Sequence, residues 1–246
     1  MSTTFELVTA DAVRLHACRW RAIGSPRATA VIVHGFAASS TEPRVVAVAE
    51  HLTRAGIDVV GYDARGHGSS GGEATLGDLE RLDVAAAAAA AETGPVVLIG
   101  ASVGAIAALR HAASAPGTVS GMVTVSCPAR WRLPRNARGL TSAVMTQTAL
   151  GRWAARRFVG VRIARDIRRP APPVELVAYV GAPLAIIHGR ADPFIAPADA
   201  TILHAAARDP RRIDLVDNMG HAFEAPSIDP ILNALDWILG AASPTP

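Results

Sequence analysis

Ser102 lies in Gly100-Ala101-Ser102-Val103-Gly104, a G-x-S-x-G pattern in which a serine hydroxyl can act as a nucleophile. So loose a pattern also arises by chance, and Gly68-Ser69-Ser70-Gly71-Gly72 matches it too. Context separates the two. Pro95–Gly100 reads as a buried-type strand and Val103–Ala115 as a helix, so Ser102 stands at a sharp strand-to-helix corner that exposes its hydroxyl. Ser70 sits within a glycine-rich loop and reads as a turn residue. A serine of ordinary acidity is a weak nucleophile and needs a histidine base held by an acid. His221, between the last strand and the last helix, can reach back over a sheet; the competing reading is a plain surface-loop histidine. Asp192 follows the strand-like Leu184–Gly189 in a loop stiffened by Pro193 and Pro197. Its nearest competitor, Asp199, falls in the first turn of a helix, where an acid complements the dipole. The end of the preceding strand, Ser126-Cys127-Pro128, holds no carboxylate.

Short β-branched runs alternate with longer alanine-rich stretches, the pattern of a parallel sheet with crossover helices. Phe5–Thr9 and Val13–Trp20 read as an antiparallel pair. Ala28–His34, Ile57–Tyr62, Pro95–Gly100, Gly121–Ser126, Leu184–Gly189 and Ile213–Val216 read as further strands. Helices are predicted over Glu42–Ala55, Gly77–Thr93, Val103–Ala115, Pro197–Arg208 and Ser227–Leu239. Residues 128–174 interrupt this alternation. Ligands of such sheets bind outside the carboxyl ends of the strands, so an insertion leaving from there would lie over the site as a lid.

The order Ser102, Asp192, His221 is that of the α/β-hydrolase fold, and from Val13 to Leu239 the chain resembles that family, in its serine esterase and monoacylglycerol-lipase-like branch. His34-Gly35-Phe36 resembles the family's oxyanion turn after the third strand. Asp63-Ala64-Arg65-Gly66-His67-Gly68-Ser69-Ser70 resembles its D-x-R-G-H-G-x-S loop, and Gly189-Arg190-Ala191-Asp192-Pro193 its acid loop. The resemblance implies a mostly parallel twisted sheet with helices on both faces and a small helical cap inserted after the sixth strand. Residues 1–127 and 175–246 would then form the core and 128–174 the cap. It implies an oxyanion hole made by the backbone N–H groups of Phe36 and Val103. It makes Asp63, Arg65 and His67 scaffolding and His34 a brace for the oxyanion turn.

At 246 residues with 50% hydrophobic content, the chain can bury one sizeable core. Two cysteines, Cys18 and Cys127, cannot build a disulfide framework or a zinc site. With no metal-ligand spacing and no dinucleotide or phosphate loop, no cofactor is implied. The longest apolar run, Val84–Ala91, is too short to span a membrane, and no signal peptide is visible, so a cytoplasmic location is expected.

The net charge of +3 conceals a division. Eleven arginines and one acid, Asp166, lie within residues 128–174, a net +10; the other thirteen arginines and twenty acids leave −7. The use of arginine carries no sign of phosphate preference, because the chain has no lysine at all. Three readings of the basic segment stay open: pairing with the acidic body, attraction of an anionic substrate, or peripheral attachment to an anionic membrane. Nucleic-acid binding is disfavoured, since few aromatics accompany the charge. Leu140, Val144, Leu150, Trp153, Ala154 and Phe158 recur at helical spacing and are expected to turn an apolar face over the site.

The expected activity is hydrolysis of a small or medium carboxylic ester or a monoacyl lipid through an acyl-enzyme. The alternatives are a thioesterase, a cofactor-free perhydrolase, or a slowly turning ligand-binding or signalling relative. A serine at the elbow argues against dehalogenases and epoxide hydrolases, which carry aspartate there.

Overall fold

Continuous runs of branched and small apolar residues make the strands of the sheet centre. In the computed structural model, which describes residues 2–131, 144–168 and 170–242, every residue of Ala28–Val33, Ile57–Tyr62 and Leu184–Gly189 is buried. Such strands need cover on both faces, and helices supply it. The strands are β1 (Ser2–Val8), β2 (Arg14–Trp20), β3 (Ala28–Val33), β4 (Ile57–Tyr62), β5 (Val96–Ala101), β6 (Gly121–Val125), β7 (Leu184–Gly189) and β8 (Arg211–Val216). They form one sheet in the order β1-β2-β4-β3-β5-β6-β7-β8. β2 runs antiparallel to β1 and β4; every other pairing is parallel.

Alternate residues of the strands feed two apolar layers. On one face Val31, Val33, Leu98, Met122 and Ile186 pack with α2 (Glu80–Ala89), α3 (Val103–Ser114) and α5 (Ala198–Ala206). On the other, Ile32, Ile99, Val123 and Ile187 pack with α1 (Pro43–Arg54) and α6 (Ile228–Ala242). α4 (Ala149–Ala154) lies in the basic segment and runs into a π turn, Ala155–Val159.

α2 is shorter than the alanine run predicts, and its ends show why. The Glu80 carboxylate accepts from the Thr75 and Gly77 N–H groups and the Thr75 hydroxyl, which seals the start of the helix. Gly94, at φ +60°, turns the chain toward β5.

The connection out of β3 leads to β4 on one side, and the connection out of the neighbouring β5 leads to β6 on the other. That reversal opens a crevice at the carboxyl ends of β3 and β5, where an α/β sheet receives ligands. The turn after β3 and the corner after β5 both face it.

The basic segment is seated on the loop that follows β4. Arg162 N–H donates to Gly66 O (2.8 Å), and Ala74 and Arg162 are joined by a 2.7 Å bond within a short parallel bridge to Ile163. The Arg162 guanidinium caps the carbonyls of Ser70 and Gly72. Trp131 Nε1 donates to Pro170 O (2.8 Å) and Val174 N–H to Ala129 O (3.0 Å), which draws the two ends of the segment together. Its buried side is small: Ala155, Val161 and Ile163 gather with Ala74 against Phe36.

The expected apolar face over the site differs from the observed packing. Leu150, Trp153 and Phe158 all point to solvent, because the buried positions fall to Gly151 and Ala155 on the opposite side of the turn. Leu140, Arg132, Arg135, Arg138 and Arg169 lie outside the described residues.

Candidate active site

β5 delivers Ser102 into a corner at φ +52°, ψ −120°, a conformation that non-glycine residues rarely adopt. Two features hold it there. Ser102 N–H donates to Val125 O (2.9 Å), and α3 starts at the next residue. The flanking glycines are required by contact: a Cβ on Gly104 would come within 2.3 Å of the carbonyl oxygens of Val33 and His34, and one on Gly100 within 2.7 Å of Ala105 Cα.

The turn after β3 lies directly beside this corner. A Cβ on Gly35 would meet Ser102 Cβ at 3.3 Å. Neither Phe36 N–H nor Val103 N–H donates to a protein acceptor among the described residues, which leaves both able to receive a ligand oxygen. His34 fixes the turn: its Nδ1 donates to Gly35 O (2.8 Å) and its Nε2 accepts from Ala64 N–H (2.9 Å). Burial, reinforced by neighbouring His67, lowers the His34 pKa to about 4, so the imidazole is neutral in these roles. His67 stands edge-on to both His34 and Phe36, with ring centroids 5.2 and 5.9 Å away.

Asp192 and His221 meet at the ends of β7 and β8. His221 Nδ1 lies 2.8 Å from Asp192 Oδ2, so Nδ1 carries the donated proton and Nε2 keeps a free lone pair. The other carboxylate oxygen accepts from Phe194 N–H (2.8 Å) and Ile195 N–H (3.0 Å). Burial alone would push the Asp192 carboxyl up; the hydrogen bonds from His221 and the two backbone groups outweigh it and hold the pKa below the usual value. The Phe194 ring covers His221 at 5.0 Å. Among the described residues no hydrogen bond joins Ser102 Oγ to His221; in free hydrolases this contact is often long and tightens when substrate binds.

Three residues with no recognisable motif position this pair. Ser126, at the end of β6, accepts at its hydroxyl from Ala222 N–H (3.1 Å), and Glu224 accepts from Gly220 N–H (2.8 Å). The residues on either side of His221 are thus each held by a side chain. His188 lies fully buried behind the acid, its Nε2 3.1 Å from Ile195 O and 3.5 Å from Asp192 Oδ2. Burial lowers its pKa, so it serves as a neutral donor.

The other sequence candidates hold the frame. Asp63 accepts from Ser40 and Ser69, and Arg65 is clasped by Asp83 and Asp11. Ser70 accepts from His16 N–H and donates to Asp63 O, as a turn residue would. Asp199 sits in the first turn of α5. Among the described residues no cluster of His, Cys, Asp and Glu is arranged to hold a metal ion, and Cys18 and Cys127 are free and buried.

A family model described as serine aminopeptidase, S33, matches residues 24–172, a span that holds Gly35 and Ser102 and stops short of Asp192 and His221. Solved structures of similar shape include the Pyrococcus furiosus esterase, at 23% identity and a TM-score of 0.74 over 98% of this chain and 91% of that one. The esterase domain of a Rhodothermus marinus protein matches at 22% identity and 0.70, over 98% and 99%. A lidless α/β serine hydrolase of Xanthomonas campestris matches at 20% and 0.67, over 100% and 96%. At these identities the likeness is one of fold. No curated protein matches the sequence.

Proposed function

The chain belongs to the serine aminopeptidase (S33) family of α/β-hydrolases, and from that premise we propose that it cleaves carboxylic esters through Ser102, His221 and Asp192. The observation that carries this reading is the 2.8 Å Nδ1–Oδ2 contact between His221 and Asp192, reached across the sheet from the strained corner that bears Ser102. Serine at such a corner has no packing rationale, whereas an exposed nucleophile requires one.

In the proposed reaction Ser102 Oγ attacks the ester carbonyl carbon while His221 Nε2 accepts its proton. The new oxyanion is held by the N–H groups of Phe36 and Val103. Collapse breaks the bond to the leaving alcohol, which takes the proton from His221, and leaves an acyl-Ser102. Water, deprotonated by His221, attacks the acyl carbon; the acid departs and Ser102 regains its proton. Asp192 stays ionised throughout, fixing the tautomer and stabilising the imidazolium. Residues 128–174 act as a cap over a core of 1–127 and 175–246, with Phe36 at the contact between them.

An ester is favoured over a peptide amino terminus by charge. The described cap carries exposed arginines and a single acid, Asp166, a surface that repels an ammonium group and tolerates neutral or anionic acyl compounds. Nitrophenyl esters of graded acyl length, the matching acyl thioesters and aminoacyl nitroanilides test the assignment side by side. Fast turnover of the esters is expected. Turnover confined to the thioesters or the anilides would replace this reading with a thioesterase or an aminopeptidase.

A further inference from the structure

The arginines of this protein divide by whether they have a partner. Outside residues 128–174 every arginine except Arg81 and Arg208 is ion-paired, from Arg14 with Glu6 to Arg212 with Asp214. Inside it, among the described residues, no carboxylate pairs with Arg130, Arg152, Arg156, Arg157, Arg165 or Arg168. The reading in which these charges neutralise the acidic body therefore fails for every described member. The same short stretch exposes large apolar groups: Leu150 is 73%, Trp153 58% and Phe158 72% exposed. The rings of Trp153 and Phe158 meet edge-on at 5.9 Å, and the Arg157 guanidinium lies 5.4 Å from the Phe158 centroid. Aliphatic, aromatic and cationic groups thus form one patch.

We propose that this patch, α4 and the π turn after it, docks on an anionic phospholipid surface. Tryptophan and phenylalanine suit the boundary between headgroups and acyl chains, and unpaired arginines suit the negative headgroups. A second copy of the chain seated face to face is a poor occupant, because two such faces would present like charge to each other, and most of the body's acids are already paired with its own arginines. A polyphosphate strand would satisfy the arginines but leave Leu150 in water. The proposal does not rest on the hydrolase reading, since binding is measured without turnover.

The test is cosedimentation of the full chain with vesicles of phosphatidylcholine alone and of phosphatidylcholine mixed with phosphatidylglycerol. Binding is expected to the mixed vesicles and to fall as salt is raised. The Arg152→Glu, Arg156→Glu and Arg157→Glu variant should lose it, each reversed arginine removing about fivefold or more in affinity. Leu150→Ser with Trp153→Ser and Phe158→Ser, which leaves the charge intact, should weaken binding at least about tenfold. Unchanged thermal unfolding of both variants shows that the fold is kept. Equal binding to neutral vesicles, binding indifferent to both variants, or no binding to either vesicle would overturn the proposal. So would a dimer that the serine variant converts to monomer while vesicles are ignored.

Discussion

The hydroxyl of Ser126 accepts a 3.1 Å hydrogen bond from the backbone N–H of Ala222, across 96 positions of sequence. Through it the end of β6 holds the loop that carries His221. The preceding residue, Val125, accepts from Ser102 N–H, so the nucleophile corner and the histidine loop hang from adjacent residues of one strand.

Removing that hydroxyl separates positioning from strain. Ser126 has φ +51°, which glycine adopts freely and alanine does not. Ser126→Ala and Ser126→Gly should both lower ester kcat about tenfold with little change in KM, while Ser126→Ala costs about 1 kcal/mol more stability than Ser126→Gly. Denaturant titration alongside steady-state kinetics checks both halves. Equal kcat in wild type and both variants would show that Ser126 does not position His221.

Arg65 is the largest fully buried side chain among the described residues, clasped by fully buried Asp83 and by Asp11 at the surface. Burial raises the Asp83 pKa to about 6 even against the hydrogen bonds from Arg65, and Arg65 holds the Asp11 carboxyl down to about 2. Arg65→Met leaves the buried Asp83 carboxylate with the backbone N–H of residue 65 but no counter-charge, and should destabilise the protein by about 3–5 kcal/mol. Arg65→Met with Asp83→Asn should recover part of that loss, read from the midpoint of urea unfolding.

Acid sensitivity follows from the buried histidines. His34, His67, His111 and His188 all have pKa values depressed by burial, His34 to about 4 from 6.5. Between those values the unfolded chain binds protons that the folded chain refuses, so stability falls as pH drops from about 6.5 toward 4. The shift at His34 alone is worth about 3 kcal/mol. Asp83 acts in the opposite sense, since its raised pKa favours folding on acidification below about 6, but one carboxyl is set against four imidazoles. Unfolding free energy measured across this range should rise with pH, and His34→Asn should flatten the slope.

Glycine tolerance should follow local space. A Cβ on Gly189 would lie 2.2 Å from Met219 O, and one on Gly104 2.3 Å from two carbonyl oxygens, whereas Gly181 has nothing within 4 Å. Gly104→Ala and Gly189→Ala should unfold at much lower denaturant than wild type, and Gly181→Ala within about 0.5 kcal/mol of it.

Much of this frame is readable from short-range pattern. Ala28–Val33 and Leu184–Gly189 announce buried strands because doubly covered strands need apolar side chains on both faces. Ser102, Asp192 and His221 stand out because each follows a strand at a break in the apolar pattern. The residues that hold them do not stand out. Ser126, Glu224 and His188 act through backbone groups or a neighbour's carboxylate, contacts that any polar side chain of the right reach could make. The direction of Leu150, Trp153 and Phe158 was equally hidden: helical spacing puts them on one face but does not say whether that face meets the core or the solvent.

Covalent labelling asks whether Ser102 is the attacking group. A fluorophosphonate probe followed by peptide mass spectrometry should modify Ser102, with loss of ester turnover in step with labelling. Ser102→Ala should take no label and lose turnover at least about a thousandfold while unfolding like wild type. Label on another residue, or full ester turnover in Ser102→Ala, would rule Ser102 out as the nucleophile.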